Sequence, residues 1–122
     1  MTRHVLVVDD DPDLRATVAE ILDLEGCDVE EATNGAEALA QIASSPPCVV
    51  LLDMRMPLMD GWGVARELRA RGIAVPIVVM TAAQDAGRWA REIDADAFLA
   101  KPFELDDLLT VISRFAQCPP PP

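Results

Sequence analysis

Val49-Val50-Leu51-Leu52 is an uninterrupted run of large aliphatic residues that follows Cys48 and stops at a carboxylate, Asp53. A strand with one wet face alternates apolar and polar side chains. An unbroken run instead fits a strand covered on both faces, as in a parallel sheet packed by helices on either side. Pro57, a few residues on, prevents the strand from simply continuing. Asp53 therefore stands where a central strand hands over to a loop, the rim at which open α/β sheets bind their ligands.

The remaining chain repeats this pattern. His4-Val5-Leu6-Val7-Val8 is a second aliphatic run that also ends at acids, Asp9 and Asp10. Asp11 before Pro12 reads as an N-cap with proline at the first helical position, and Leu14, Val18, Ile21 and Leu22 recur at helical spacing until Gly26. A short second strand is expected over Cys27–Ala32, then a turn in which Thr33 or Asn34 caps a helix through Ala43 that buries Leu39 and Ile42. Ser44-Ser45-Pro46-Pro47 breaks the chain before the Asp53 strand. Asp60 caps a third helix, Gly61 to about Arg71, with Val64 and Leu68 inward and Gly72 as its stop. Pro76–Met80 is a fourth strand closing on Thr81, Gln84–Ile93 a helix carrying Trp89, and Ala97–Ala100 a fifth strand ending at Lys101-Pro102. The last helix is expected over Glu104–Phe115 with Leu105, Leu108, Leu109 and Ile112 inward. Strands alternating with helices in this way require right-handed crossovers and an α/β fold, a parallel sheet with helices on both faces.

With 122 residues the chain makes one domain, over residues 1–117, and Cys118 with Pro119–Pro122 reads as an extended tail or linker stub. Its 51% hydrophobic and 25% charged residues describe an ordinary globule. No run is long enough to span a membrane and no signal-like segment opens the sequence, so cytoplasmic residence is expected. Cys27, Cys48 and Cys118 are widely spaced and suggest neither a disulfide framework nor a zinc site. A net charge of −11 opposes direct binding to a phosphate backbone, so no nucleic acid contact is expected of this domain.

Parallel strands put their last residues on one rim: Asp9 and Asp10, Asp53, Thr81 and Lys101. If the first and third strands are neighbours, with the winding reversing between them, the carboxylates face each other across a crevice. Carboxylates so close raise one another's pKa or recruit a cation, and an open all-oxygen site suits Mg²⁺. Lys101 adds a compact positive charge and Thr81 a hydroxyl donor. Together they describe a site that holds a phosphoryl group on or near a carboxylate.

Val7-Val8-Asp9-Asp10-Asp11, Leu51-Leu52-Asp53-Met54-Arg55-Met56-Pro57-Leu58-Met59-Asp60-Gly61, Met80-Thr81-Ala82 and Phe98-Leu99-Ala100-Lys101-Pro102-Phe103, in this order and spacing, resemble the receiver domain of a bacterial two-component response regulator. The resemblance, closest to chemotaxis regulators, covers essentially the whole chain. It implies a flavodoxin-like (βα)5 fold, a doubly wound five-stranded sheet in the order 2-1-3-4-5. It implies that Asp53 is the phosphoacceptor for a sensor histidine kinase or phosphotransfer protein. Mg²⁺ would be held by Asp10, by Asp9 directly or through water, by Asp53 and by the backbone carbonyl of Arg55. Thr81 and Lys101 would contact the phosphoryl oxygens, and the Lys101–Pro102 peptide would be cis. Thr81 and Phe98 would form the switch that reshapes the surface of helix four, strand five and helix five for an effector or partner. Such a domain is a switch that assists its own phosphorylation and dephosphorylation, not an enzyme, and works as a monomer or homodimer.

Plainer roles stand beside these. Asp11 is read as a helix cap and His4, far from the rim, as structural. Phe98 could be plain core, Trp62 and Trp89 half-buried packing, and Met54, Met56 and Met59 loop packing. Asp94 stands where a turn glycine is usual and tolerates left-handed geometry. Arg55 and Ala83 occupy positions that tune phosphoryl lifetime in similar domains. Two other readings compete: a haloacid-dehalogenase-type phosphohydrolase, whose second aspartate would fall where Arg55 stands, and a non-phosphorylated pseudo-receiver interaction module.

Overall fold

The aliphatic runs become five parallel strands, β1 (His4–Val8), β2 (Asp28–Ala32), β3 (Val49–Asp53), β4 (Ile77–Ala82) and β5 (Ala97–Lys101), each followed by a helix. The helices are α1 (Pro12–Leu24), α2 (Gly35–Ser44), α3 (Gly61–Ala70), α4 (Ala83–Glu92) and α5 (Leu105–Phe115). This computed structural model describes residues 4–115. The tail expected at Cys118–Pro122 lies outside them. The sheet order is β2-β1-β3-β4-β5, the doubly wound arrangement anticipated above.

Alternation along each central strand sorts its side chains onto two faces. Leu6, Val8, Val50, Leu52 and Val79 join residues of α2, α3 and α4, such as Ile42, Val64, Leu68 and Trp89, in one core. Val5, Val7, Val49, Leu51, Val78, Met80 and Leu99 pack with Val18 and Leu22 of α1 and Leu108 and Ile112 of α5 in the other. Both faces of the central strands are covered, which is why their sequences carry no polar interruption.

Side chains fix most helix starts. Asp11 accepts from the backbone N–H of Asp13 and Leu14, Asp60 accepts from Gly63 N–H, and Asn34, not Thr33, accepts from Glu37 N–H. The Glu37 carboxylate reaches back to Thr33 N–H and Oγ1, both at 2.9 Å, one residue before the cap, and these bonds lower its pKa. Asp94 takes a left-handed φ of 56°, so the turn without glycine survives. His4 is buried, with Nε2 3.6 Å from Glu30 Oε1.

The inward face of α5 departs from expectation. Leu105 is 52% exposed, and Leu109 is half-buried outside both cores. The stripe that packs is Leu108, Val111, Ile112 and Phe115. Phe103, two residues before the start of the helix, packs against the second core. Leu105, in the exposed first turn, lines a surface cavity with Leu14, Phe103 and Leu108.

One glycine governs how closely the loop after Asp53 returns to the sheet. Gly61 N–H donates to Met54 C=O at 3.0 Å, and a Cβ at Gly61 would run into the Met54 sulfur and backbone. Met54 is fully buried and cannot yield. Gly61→Ala is therefore expected to destabilise the fold by about 1–3 kcal/mol, despite alanine's better helix propensity. Urea unfolding of the variant against the parent chain measures this.

Candidate functional site

Strand register builds the rim. Val8 pairs with Leu52, so the next residues, Asp9 and Asp53, stand side by side. Asp53 pairs with Met80, which sets Thr81 one step beyond it, and Ala82 pairs with Lys101. Asp9, Asp10 and Asp53 each offer a carboxylate oxygen within 4.8 Å of the others. Asp9 and Asp53 are buried and Asp10 is exposed, so the cluster opens to solvent on one side.

Lys101 reaches into this cluster from the far side. Its Nζ lies 2.8 Å from Asp9 Oδ2 and 3.7 Å from Asp53 Oδ1. The Lys101–Pro102 peptide is cis. Asp9 Oδ1 accepts from Asp11 N–H at 2.9 Å, so both oxygens of this buried carboxylate are engaged. Asp53 Oδ1 accepts a long bond, 3.4 Å, from Arg55 N–H.

Burial pushes the Asp53 carboxyl up from 3.8 to about 6, with a further push from the charge of Asp9 and a smaller one from Asp10. Lys101 and the Arg55 N–H hold it down. Desolvation and like charge thus outweigh one lysine. The donor set fits a hard cation: three carboxylates, one open side, and a site acid whose charge is under-compensated. Oxygen-only, part-hydrated sites of this kind suit Mg²⁺.

Thr81 is buried at the end of β4, beside the acids. Phe98 is 49% exposed, which removes its reading as plain core. A Cβ at Gly87 of α4 would lie 3.8 Å from the Phe98 ring, so the ring leans on α4 from outside. Trp89 is buried, as packing would have it, and Trp62 meets it edge-on at 4.8 Å between centroids. Met54 is core, with Met56 and Met59 packed against it.

Sequence reasoning missed Arg15. Its Nη1 donates to the Asp9 carbonyl at 2.8 Å and its Nε to Glu31 Oε1 at 3.0 Å, tying the end of β1 to α1 and β2. Its two partners lie just after β1 and on β2, and no local spacing announces them. The position of the Arg55 guanidinium, over the Trp89 ring at 4.9 Å, was equally hidden.

The model of the response regulator receiver domain family matches residues 5–113. The chain belongs to the response regulator receiver domains. The receiver domain is 42% identical over 111 residues to the response regulator MprA of Mycobacterium tuberculosis and 43% identical to that of Mycolicibacterium vanbaalenii. Each match covers 89% of this chain and 48% of the relative, so the chain spans about half the length of these curated relatives. Among solved structures, the receiver domain of NtrX from Brucella abortus superposes with a TM-score of 0.84 at 31% identity, covering 93% of this chain and 98% of that one. The chemotaxis protein CheY4 of Vibrio cholerae gives 0.83 at 29% identity, covering 94% and 99%. The chain is thus a receiver domain of the two-component response regulator kind. None of its described helices is long and apolar enough to cross a membrane.

The raised carboxyl of Asp53 makes the receiver domain more stable without that charge. A shift from 3.8 to about 6 corresponds to a ceiling of about 3 kcal/mol. Asp53→Asn is therefore expected to stabilise the cation-free domain at pH 7 by about 1–2 kcal/mol, after allowing for the lost Lys101 contact. The native state binds the Asp53 proton more tightly than the unfolded chain does. The charged carboxyl's cost therefore grows as pH rises from 3.8 through about 6. Urea midpoints of variant and parent should accordingly converge as pH is lowered toward 4.

Proposed function

We propose that this receiver domain accepts a phosphoryl group on Asp53 from the phosphohistidine of a sensor histidine kinase or phosphotransfer protein. The observation that carries the proposal is the meeting of Asp9, Asp10 and Asp53 within 4.8 Å, with Lys101 Nζ between Asp9 and Asp53. A deprotonated Asp53 oxygen attacks phosphorus, the phosphorus–nitrogen bond breaks, and its electron pair returns to the imidazole, which is reprotonated from solvent as needed. Asp53 gains an acyl phosphate, and water later cleaves it to restore the carboxylate and release inorganic phosphate.

Each neighbour has a part. Lys101 supplies positive charge against the oxygens of the transferring group, a preorganised contribution that costs no rearrangement during reaction. Thr81 donates its hydroxyl to a phosphoryl oxygen once the group has arrived. Asp9, Asp10, Asp53 and the carbonyl of Arg55 would hold Mg²⁺. When bound, that ion neutralises phosphoryl oxygens and relieves the repulsion among the acids. Movement of Thr81 toward the phosphoryl group leaves room for the Phe98 ring, whose inward position buries an apolar surface without losing a hydrogen bond. The surface of α4, β5 and α5 then presents a different shape to an effector or partner. The same reading puts the domain in the cytoplasm and makes it a switch whose only substrate is its own aspartate.

Incubation with a small phosphodonor and Mg²⁺, followed by intact mass, tests the proposal. One phosphoryl adduct is expected on the parent chain and none on Asp53→Asn or on the parent with the cation chelated. An adduct on both proteins would remove Asp53 from its role. Its absence from the parent, with magnesium leaving the protein unchanged, would favour the pseudo-receiver. Turnover of a small phosphomonoester would instead favour a phosphohydrolase, although Arg55 stands where that chemistry needs its second aspartate. Lys101→Met should slow labelling by about 10²-fold, the scale of losing one preorganised charge or donor.

A further inference from the structure

Arg55 faces two ways. Its backbone N–H serves Asp53, at 3.4 Å from Oδ1, while its guanidinium carbon lies 4.9 Å from the centroid of the Trp89 ring in α4. Trp89 is held firmly, being buried and met edge-on by Trp62, whose Nε1–H donates to Glu92 Oε1 at 2.9 Å. Arg88 stands further from the same ring, at 5.9 Å, and is already paired with Asp85 at 2.7 Å. Among the described residues Arg55 has no carboxylate partner, so its charge rests on the aromatic face alone.

We propose that Arg55 and Trp89 form a latch between the loop after Asp53 and α4, closed in the unphosphorylated domain and opened by a phosphoryl group on Asp53. This rests on Asp53 as the phosphoacceptor. An aromatic face attracts an exposed guanidinium weakly, whereas a phosphoryl dianion offers charge-assisted, fork-shaped hydrogen bonds. The phosphoryl group therefore has the differential attraction that a population shift requires. Arg55 starts two residues from the acceptor with its main chain already against the carboxylate. When its side chain turns to the phosphoryl group, Trp89 loses its cover and α4 loses a tie to the β3–α3 loop. Gly87, on the same helix, carries the Phe98 ring, so release acts on the surface that Phe98 occupies. Trp89 is a positioning residue here, and Arg55 is the moving part.

Tryptophan emission reads the latch. In a Trp62→Phe background Trp89 is the only indole, and emission is recorded before and after phosphorylation by a small phosphodonor with Mg²⁺. The parent should change on phosphorylation. Arg55→Met should begin near the emission of the phosphorylated parent and change less than a third as much. Arg55→Lys, which keeps a cation for the ring, should restore at least half of the change, a rescue that simple packing would not give. The phosphoryl lifetime should shorten about three-fold or more in Arg55→Met. Resting emission needs no phosphoryl transfer, so a poorly phosphorylated Arg55→Met chain still decides the matter: equal resting emission in parent and variant overturns the latch. A full parent-like change in Arg55→Met, with the adduct confirmed by mass, overturns the latch and leaves the acceptor reading intact. A parent chain that takes no phosphoryl group removes both.

Discussion

Three carboxylates crowd the end of a parallel sheet with one lysine between two of them, and most of the local architecture serves to hold that arrangement. Asp9 is fully buried, a position a carboxylate tolerates only when its charge is answered. Lys101 answers one oxygen and Asp11 N–H the other. Arg15 adds a hold from behind by taking the Asp9 carbonyl, so the main chain at the end of β1 is fixed as well as the side chain. Asp53, beside it, has less: a lysine at 3.7 Å and a long N–H bond. Burial and the neighbouring charge of Asp9 raise the Asp53 carboxyl, and these thin contacts do not offset them. A site acid left under-compensated attracts cations and has a nucleophilic oxygen not already committed to a strong partner.

How much of this could be read beforehand depended on whether the cause was local. Strands and helix caps are local, and Asp11, Asn34 and Asp60 cap where turn chemistry put caps. The rim residues were legible because parallel strands place their ends together, so a topology converts sequence order into a site. Leu105 failed because helical periodicity alone does not know that Phe103 has already taken the adjoining place in the core. Arg15 and the Trp62–Trp89 pair were out of reach for a related reason. Their partners come from the end of β1, from β2, α3 and α4, and nothing in the spacing of one segment encodes where another segment's side chain will lie.

The two cores bear differently on the site. Alternate residues of the same strands feed opposite faces, so Leu52 and Leu51 carry packing on either side of the strand that ends at Asp53. A shift of β3 along the sheet by one residue would exchange both sets and remove Asp53 from its register with Asp9. The position of Asp53 is therefore set by two sets of buried aliphatics at once, and the site inherits the rigidity of the sheet. Movement has to come from elements that lie outside this double constraint.

Among those elements α4 is the least tethered at its start. The helices α1, α2 and α3 each begin on a side chain that accepts from their first free N–H groups, worth about 1 kcal/mol apiece. Among the described residues no side chain does this for α4, which runs directly out of β4 through Ala82 and Ala83. Its buried residues are mostly small, Ala86 and Ala90 beside Trp89, so Trp89 supplies most of the apolar area they bring to the sheet. The helix that starts two residues after Thr81 and ends at the turn before β5 is thus poised between a fixed acid cluster and the exposed Phe98 ring. The ring is seated beside it at Gly87, where an added Cβ would lie in ordinary van der Waals contact with the ring. A small displacement of Trp89 alters that seat, because the ring's contact at Gly87 and the indole share one short helix.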